Sequence, residues 1–192
     1  MKPEFTALGG TLAIDFVNTV QWHGGTVHDV LMSPTDLNEW LQFMVDHEQL
    51  TSAQYRSVTI VPMTSDDLAL LKSFRTVGRD YLSGGLAEGD FVEHLHRAAE
   101  DTPLILRLDR THGGYARVAM PVDGGSRGLV TLLAADWMRL FAEGIVSRIK
   151  ACANARCLAY FVDVSGRRKW CSMADCGNRI KNARYHQRRQ GI

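Results

Sequence analysis

The sequence lacks any long hydrophobic run, and it lacks the apolar leader typical of secreted proteins. No uninterrupted apolar stretch approaches the roughly 20 residues that a membrane-spanning helix requires. The chain begins Met1-Lys-Pro-Glu4, and no segment resembling a secretion signal follows. We therefore expect a soluble protein of the cytoplasm with no membrane partner, where reducing conditions keep cysteines as free thiols.

The sequence also lacks the short motifs of common enzyme classes. It contains no phosphate-binding loop ending in Gly-Lys-Ser/Thr, no dinucleotide fingerprint, no Gly-x-Ser-x-Gly elbow and no His-Glu-x-x-His. Five Gly-Gly doublets occur, but they stand at predicted turns without the contexts of those motifs. We therefore expect a protein that is not an enzyme, with chemistry at Asp15 as the alternative.

Cysteine is absent from the first 151 residues, and all four cysteines stand in the last quarter of the chain. Cys152 and Cys157 form one pair and Cys171 and Cys176 the other, each with four intervening residues. Two such pairs closing on one ion predict a structural Zn²⁺ site, since four thiolate ligands leave no position open for a substrate. The alternatives are two disulfides, a redox pair or an iron-sulfur cluster, and His186 is an alternative ligand.

The whole-chain net charge of +1 conceals a strong asymmetry. Residues 148–192 carry eleven Lys and Arg against two Asp, a net charge of +9, whereas the other 147 residues carry eleven basic and nineteen acidic side chains, a net charge of −8. A cationic segment attached to an acidic body suits a polyanionic partner such as DNA. The alternative is a solvated basic tail, or one that docks on its own acidic body.

The cationic segment predicts a helix after the second cysteine pair. Ser172 followed by Asp175 resembles a capping box, which places Cys176 in a first helical turn. One face of this helix combines four polar side chains at spacings of three, three and four: Asn178, Lys181, Arg184 and Arg188. We expect contacts with phosphates or bases from six residues: Arg167, Arg168, Lys181, Arg184, Arg188 and Arg189.

Two tetrapeptides of this segment resemble a known family. Trp170-Cys-Ser-Met173 is followed by Cys176-Gly-Asn-Arg179, and the run resembles the C-terminal module of the CGNR zinc-finger family, which is named after the second tetrapeptide. This resemblance covers residues 150–192. It implies a stress-related transcription regulator whose finger binds nucleic acid and follows a larger domain.

Residues 8–22 predict a glycine turn capped by Thr11 and a short helix that is apolar on nearly all sides, as is typical of a buried element. Asp15, Asn18 and Trp22 share one face of that helix, and buried polar groups need partners. The run Asp15-Phe-Val-Asn-Thr19 resembles the N-terminal motif of the larger domain in the CGNR family, which implies a ligand-binding role for Asp15 and Asn18. The alternative is that these side chains hold neighbouring backbone or an arginine.

The remaining pattern is mostly helical. Helices are predicted from Ser33-Pro34 to about residue 47, over 64–83, over 87–100, and from Leu129 to about Lys150 as the central helix. Residues 49–63 are less periodic. One β-hairpin is predicted over residues 104–120, and residues 158–163 are predicted to form a strand beside the zinc site.

These patterns predict an α+β fold, with a mainly helical domain that includes one β-hairpin over residues 1–149. A small treble-clef-like zinc module is predicted over residues 150–192. The leading hypothesis is a transcription regulator whose finger binds DNA and whose larger domain senses a ligand or partner. Two alternatives come from other classes: a zinc-stapled protein-interaction module, and a small-molecule-binding enzyme that uses Asp15 and Asn18.

Overall fold

The computed structural model describes residues 4–23, 25–111 and 113–181. Within them the chain forms six α-helices: α1 (Leu12–Val17), α2 (Pro34–Asp46), α3 (Ser52–Thr59), α4 (Ser65–Leu82), α5 (Glu88–Glu100) and α6 (Gly125–Ala142). The strands form three antiparallel hairpins: β1 (Val20–His23) with β2 (Thr26–Asp29), β3 (Leu104–Thr111) with β4 (Gly114–Pro121), and β5 (Ile149–Ala151) with β6 (Tyr160–Val162). The predicted α+β class is confirmed. Among the described helices, none is long and apolar enough to cross a lipid bilayer.

Side-chain caps set where α1, α2 and α4 begin. The hydroxyl groups of Thr11, Ser33 and Thr64 each accept a hydrogen bond from a backbone N–H in the first turn of α1, α2 and α4. In α4 the cap is reciprocal, because the Asp67 carboxylate accepts from the Thr64 N–H at 2.8 Å. The observed starts of these helices agree with those predicted from the sequence, because a cap depends on residues only three positions apart.

Helix α6 is the central element and contacts α1, α3, α4, α5 and β4. Trp137, near its C-terminal end, meets the Phe91 ring of α5 edge-on, with ring centroids 5.0 Å apart. The prediction of a central helix is correct, but its bounds are not. The helix begins at Gly125 and ends at Ala142.

Gly144 ends α6 earlier than the apolar pattern indicates. Its φ angle is 68°, and two backbone bonds close around it. The Ile145 N–H donates to the Leu140 carbonyl at 2.8 Å, and the Gly144 N–H donates to the Phe141 carbonyl at 2.9 Å. This pair of bonds is a Schellman motif, which needs a residue that tolerates positive φ. The chain then passes through a short 3₁₀ helix (Val146–Arg148) into β5.

The predicted helix over residues 12–22 is wrong in its second half. Helix α1 ends at Val17, and β1 begins three residues later. Thr19 redirects the backbone: its hydroxyl donates to the Phe16 carbonyl at 2.7 Å, and its own carbonyl accepts from the Val30 N–H at 2.9 Å. Trp22 therefore lies on a strand and shares no helix face with the buried polar residues of α1.

Arg75 of α4 ties the β1–β2 hairpin to the helical core. It is 5% exposed, and its guanidinium donates to the Thr19 hydroxyl at 2.7 Å and to both carboxylate oxygens of Asp29 at 2.9 and 2.6 Å. Burial acts to raise the pKa of Asp29, but the bonds and charge of Arg75 outweigh it and hold that pKa below its ordinary value. A two-stranded hairpin that is marginal alone thus gains a fixed position.

Candidate metal centre and its docking on the larger domain

Two backbone turns bring the four cysteines together. Cys152 directly follows β5 and Cys157 lies in the loop to β6, while Cys171 precedes and Cys176 lies within the irregular helical turn Met173–Gly177. Their four Sγ atoms all lie within 4.8 Å of one another. The sulfurs therefore converge as the paired spacing predicts. Three of the cysteines form a buried cluster with Phe161, and Cys157, which is half-buried, packs against it.

The distances between the sulfurs fit a metal site and do not fit disulfides. The Sγ atoms of Cys157 and Cys171 are 3.7 Å apart, whereas a disulfide holds its sulfurs about 2.05 Å apart. All four cysteines are free thiols. A tetrahedral Zn²⁺ with Zn–S bonds of about 2.3 Å would separate its sulfurs by about 3.8 Å. The donor set thus fits a tetrahedral ion of this kind.

Three of the thiols, those of Cys157, Cys171 and Cys176, differ in how readily they ionise. A hydrogen bond from Cys171 lowers the pKa of the Cys157 thiol to about 5. The bond to Cys157 and burial raise the pKa of Cys171, and burial raises the pKa of Cys176 to about 11. Without an ion, the Cys157 thiol therefore ionises more readily than the thiols of Cys171 and Cys176. A bound dication would offset the mutual repulsion of four thiolates and release their protons.

Asn154 organises the first cysteine turn, a role that the spacing of the cysteines did not predict. Its side-chain oxygen accepts from the Arg156 N–H at 3.1 Å, and its backbone carbonyl accepts from the Cys157 N–H at 2.9 Å. Its side-chain nitrogen donates to Cys176 Sγ at 3.3 Å, so one side chain links both turns. The sequence did contain a signal for this role, namely an Asn between paired cysteines. An Asn side chain often accepts a hydrogen bond from the backbone N–H two residues later and so stabilises a turn.

A buried carboxylate holds the turn that follows β6. Asp163 is 2% exposed, and it accepts from Lys150 Nζ at 2.6 Å, the Ser165 hydroxyl at 3.1 Å and the Arg168 N–H at 3.2 Å. These donors, Lys150 first among them, lower the pKa of Asp163 to about 2. Lys150 is therefore engaged within the finger itself.

Arg168, one of the six predicted nucleic-acid contacts, is held inside the finger. Its guanidinium donates to the backbone carbonyls of Leu8, Trp170 and Cys171. It also lies 4.2 Å from the centroid of the Phe161 ring. These contacts brace the second cysteine turn, so Arg168 has a structural position there.

Asn18 docks the finger on the larger domain. Its Nδ2 donates to the Tyr160 carbonyl at 2.8 Å, and its Oδ1 accepts from the Tyr160 N–H at 2.8 Å. A second contact joins the Val162 N–H to the Gly9 carbonyl at 3.1 Å. Asn18 is 2% exposed, and both ends of its amide bond backbone atoms of the finger. It thus holds backbone, although that backbone lies far away in the sequence.

Asp15 is buried, and only one of its two carboxylate oxygens has a hydrogen-bond partner among the described residues. Its Oδ1 accepts from the Gly9 N–H at 2.7 Å, while its Oδ2 has no hydrogen-bond partner within the described part of the chain. Burial raises its pKa to about 6, which hydrogen bonds from the neighbouring backbone only partly offset. A cavity of about 300 Å³ beside the finger is lined by Asn18, and Asp15 is not among its lining residues.

Arg79 of α4 is a second support for the docked finger. Its guanidinium donates to the Val17 carbonyl at 2.9 Å and to the Leu158 carbonyl at 3.4 Å. Its Cζ atom lies 5.6 Å from the centroid of the Tyr160 ring. No local pattern marks Arg79, because its partners stand 62 and 79 residues away in the sequence.

The exposed cations of the finger remain on its surface. Arg167 and Lys181, both predicted contacts, are exposed. Four further exposed cations accompany them: Arg148, Arg156, Lys169 and Arg179. None of these six forms an ion pair with another side chain that the structure describes. The other predicted contacts, Arg184, Arg188 and Arg189, lie outside the described residues, as does His186.

Comparison with known families agrees with this architecture. Residues 148–189 match the CGNR zinc finger. Residues 10–144 match the ABATE family, described as "Putative stress-induced transcription regulator". No curated protein matches the chain significantly. Because the ABATE match spans 135 of the 192 residues and the finger match includes all four cysteines, the chain belongs to the ABATE family and carries a CGNR zinc finger after that domain.

Proposed function

We propose that this protein is a transcription regulator whose zinc-loaded finger binds DNA and whose larger domain senses a ligand or partner. The description of the ABATE family supports the regulatory role. We also place the protein in the cytoplasm, since a cluster of free thiols persists in a reducing compartment.

We assign Zn²⁺ as the ion of the finger. The ligands would be four thiolates, those of Cys152, Cys157, Cys171 and Cys176, which suit the softness and tetrahedral preference of zinc. Four protein ligands complete the coordination and leave no position for a substrate. The ion would therefore stabilise the finger without chemistry of its own, and we assign the protein no catalytic activity.

The distribution of charge is the observation that carries the proposal of DNA binding. Residues 148–192 have a net charge of +9 and the remaining residues −8. Asp163, one of the two acidic residues of the finger, is buried against Lys150 and does not screen the surface cations. Such a surface attracts a phosphate backbone and gains free energy from counterion release, while the acidic body disfavours contacts elsewhere.

We assign contacts with phosphates or bases to Arg167, Lys181, Arg184, Arg188 and Arg189. The exposure of Arg167 and Lys181 supports their assignment. The assignment of the other three arginines rests on their positions in the sequence alone. Arg168 is left out because backbone carbonyls engage its guanidinium.

Sensing by the larger domain would act on the finger through Asn18. A ligand that bonded the Asn18 amide would compete with the Tyr160 backbone, which both amide atoms now bond. Binding there would loosen the docked finger. Asp15 stands one helical turn before Asn18, so a ligand that opened this region would also meet its unpaired carboxylate oxygen.

The test is fluorescence anisotropy of a labelled DNA duplex titrated with the zinc-loaded chain at several salt concentrations. Each phosphate contact contributes about −0.9 to the slope of log K against log salt concentration. The double variant Arg167→Ala/Lys181→Ala is therefore expected to bind more weakly and to reduce the magnitude of the slope by about 1.8.

The matched control is Arg110→Ala/Arg117→Ala, which removes two exposed cations of the β3–β4 hairpin outside the finger. It is expected to leave the slope unchanged. Failure of the zinc-loaded chain to bind any nucleic acid at low salt would refute the proposal and favour the protein-interaction alternative.

A further inference from the structure

A cleft separates the β1–β2 hairpin from the finger. Its volume is about 1020 Å³, and the described residues that line it come from both sides: Trp22, His23 and Gly25 from the hairpin, and Asn154, Ala155, Arg156, Arg179 and Ile180 from the finger. The cavity of about 300 Å³ beside it shares four of these residues and reaches Asn18 and Leu158. The larger space alone lies at the upper end of the size range of small-molecule sites.

The side chains of the cleft combine an aromatic face with two exposed cations. The Trp22 side chain is 36% exposed. Arg156 and Arg179 are exposed, and neither forms an ion pair with a side chain that the structure describes. None of the described residues that line the larger space is acidic, whereas Glu4 lines the smaller one. Guanidinium groups recognise carboxylates and phosphates through paired hydrogen bonds, and an indole offers a surface for stacking a planar ring.

Both walls of the cleft are held by contacts that lie outside it. On the hairpin side, Trp22 pairs with Val27 in the strand register, and the buried Arg75–Asp29 pair anchors the hairpin to α4. On the finger side, the bond of Asn154 to the Arg156 N–H fixes the backbone that carries one cation. The recognition groups are therefore presented on supported backbone, which limits the ordering cost of binding.

We propose that this cleft binds a small aromatic anion, a molecule that joins a planar ring to a carboxylate or phosphate group. The ring stacks on Trp22, and Arg156 and Arg179 hold the anionic group. Such a ligand touches the larger domain and the finger at once, so its binding is coupled to the docking of the finger at Asn18. The cleft is thus a site, and the aromatic anion a ligand class, for the proposed sensing. Binding of the anion does not depend on the proposed function; only its effect on DNA binding does.

The binding test is isothermal titration calorimetry of the full zinc-loaded chain with AMP and with benzoate. Adenosine supplies the ring without the charge, and inorganic phosphate supplies the charge without the ring. At least one of the two aromatic anions is expected to bind, and adenosine and phosphate are expected to bind at least tenfold more weakly than AMP if AMP binds. Binding of AMP alone identifies a phosphate ester as the ligand, and binding of benzoate alone identifies a carboxylate.

Variants connect any binding to the cleft. Arg156→Gln/Arg179→Gln and Trp22→Ala are each expected to weaken binding at least tenfold, whereas Trp22→Phe retains most of it. Arg110→Gln, on the β3–β4 hairpin, is the matched control and is expected to bind as the wild type does. Equal zinc content in all variants shows that the finger remains folded.

The inference is overturned if neither aromatic anion binds, if phosphate alone binds as tightly as AMP, or if the variants bind like the wild type. Binding of a single-stranded oligonucleotide that is lost in Trp22→Ala, with no binding of the small probes, would also overturn it in favour of a nucleic-acid strand. A chain that binds a probe but no DNA refutes only the proposed function. A chain that binds DNA but no probe refutes only the cleft.

Discussion

At the scale of single residues, the buried Asp15 carboxyl links stability to pH. Burial raises its pKa from 3.8 to about 6. The folded protein therefore holds this proton more tightly than the unfolded chain does. The contribution of Asp15 to stability is complete below about pH 4, falls as the pH rises towards about 6, and is lost above it.

Substitution of Asp15 by Asn removes this titration. Between pH 5 and pH 7 the free energy of unfolding of the wild type is expected to fall by about 1 kcal/mol more than that of Asp15→Asn. Urea denaturation at the two pH values measures the difference. Asp80→Asn, an exposed site on α4, should follow the wild type. Equal pH dependence of Asp15→Asn and wild type would contradict the raised pKa.

Asn18 is the residue on which docking of the finger depends most directly. Asn18→Ala leaves the backbone N–H and C=O of Tyr160 without their partners. The expected cost is about 1–3 kcal/mol, seen as faster hydrogen exchange at the Tyr160 amide. Gln21→Ala, which removes a single exposed bond to the Glu4 carbonyl, should leave that exchange rate unchanged. Unaltered exchange in Asn18→Ala would exclude the docking role.

Residue roles could be predicted from the sequence where the partners are close in the chain. The caps of Thr11 and Thr64 act over three residues, and the cysteine pairs each span one short turn. The partner of Asn18 lies 142 residues away, and one partner of Arg168 lies 160 residues away. Spacing along the chain carries no information on such contacts, so the docking role of Asn18 and the bracing role of Arg168 needed the structure.

At the scale of helices and strands, two helical glycines have opposite surroundings. A Cβ atom at Gly128 of α6 would lie 2.3 Å from the Asp123 carbonyl oxygen and 3.1 Å from Pro121 Cγ. At Gly78 of α4 it would approach Trp137 no closer than 3.4 Å, which is ordinary contact. The absence of a side chain at Gly128 thus lets the first turn of α6 pack against the end of β4.

The two Gly→Ala substitutions are therefore expected to act in opposite directions. Gly128→Ala should lower the free energy of unfolding by about 1–3 kcal/mol through overpacking. Gly78→Ala should leave it unchanged or raise it by up to about 1 kcal/mol through helix propensity. Chemical denaturation compares them, and the opposite order would contradict the packing at the start of α6.

Elements were predictable where a cap or turn agreed with the apolar pattern. Helices α2, α4 and α5 and the β3–β4 hairpin meet this condition. The missed strand β1 follows an apolar run that fits helix and strand equally well, and tertiary bonds at Thr19 decide between them. The missed helix α3 carries its own capping box, in which Thr51 and Gln54 bond each other reciprocally, so its signal was present.

At the scale of the whole molecule, a cationic metal module is docked on an acidic helical domain. Gly9, Asn18 and Arg79 of the larger domain all bond the backbone of the segment between the cysteine pairs. The finger is thus a packed unit, and ligand binding beside it has a physical route to its position. The order of the two units and the cysteine set followed from the sequence, whereas their contact surface did not.

The most direct test of this account is native mass spectrometry of the full chain purified without added metal. We expect one Zn²⁺ per chain, with loss of the ion in Cys171→Ser, because all four sulfurs converge within 4.8 Å. A chain that carries no metal and whose mass shows two disulfides in place of four thiols would contradict it.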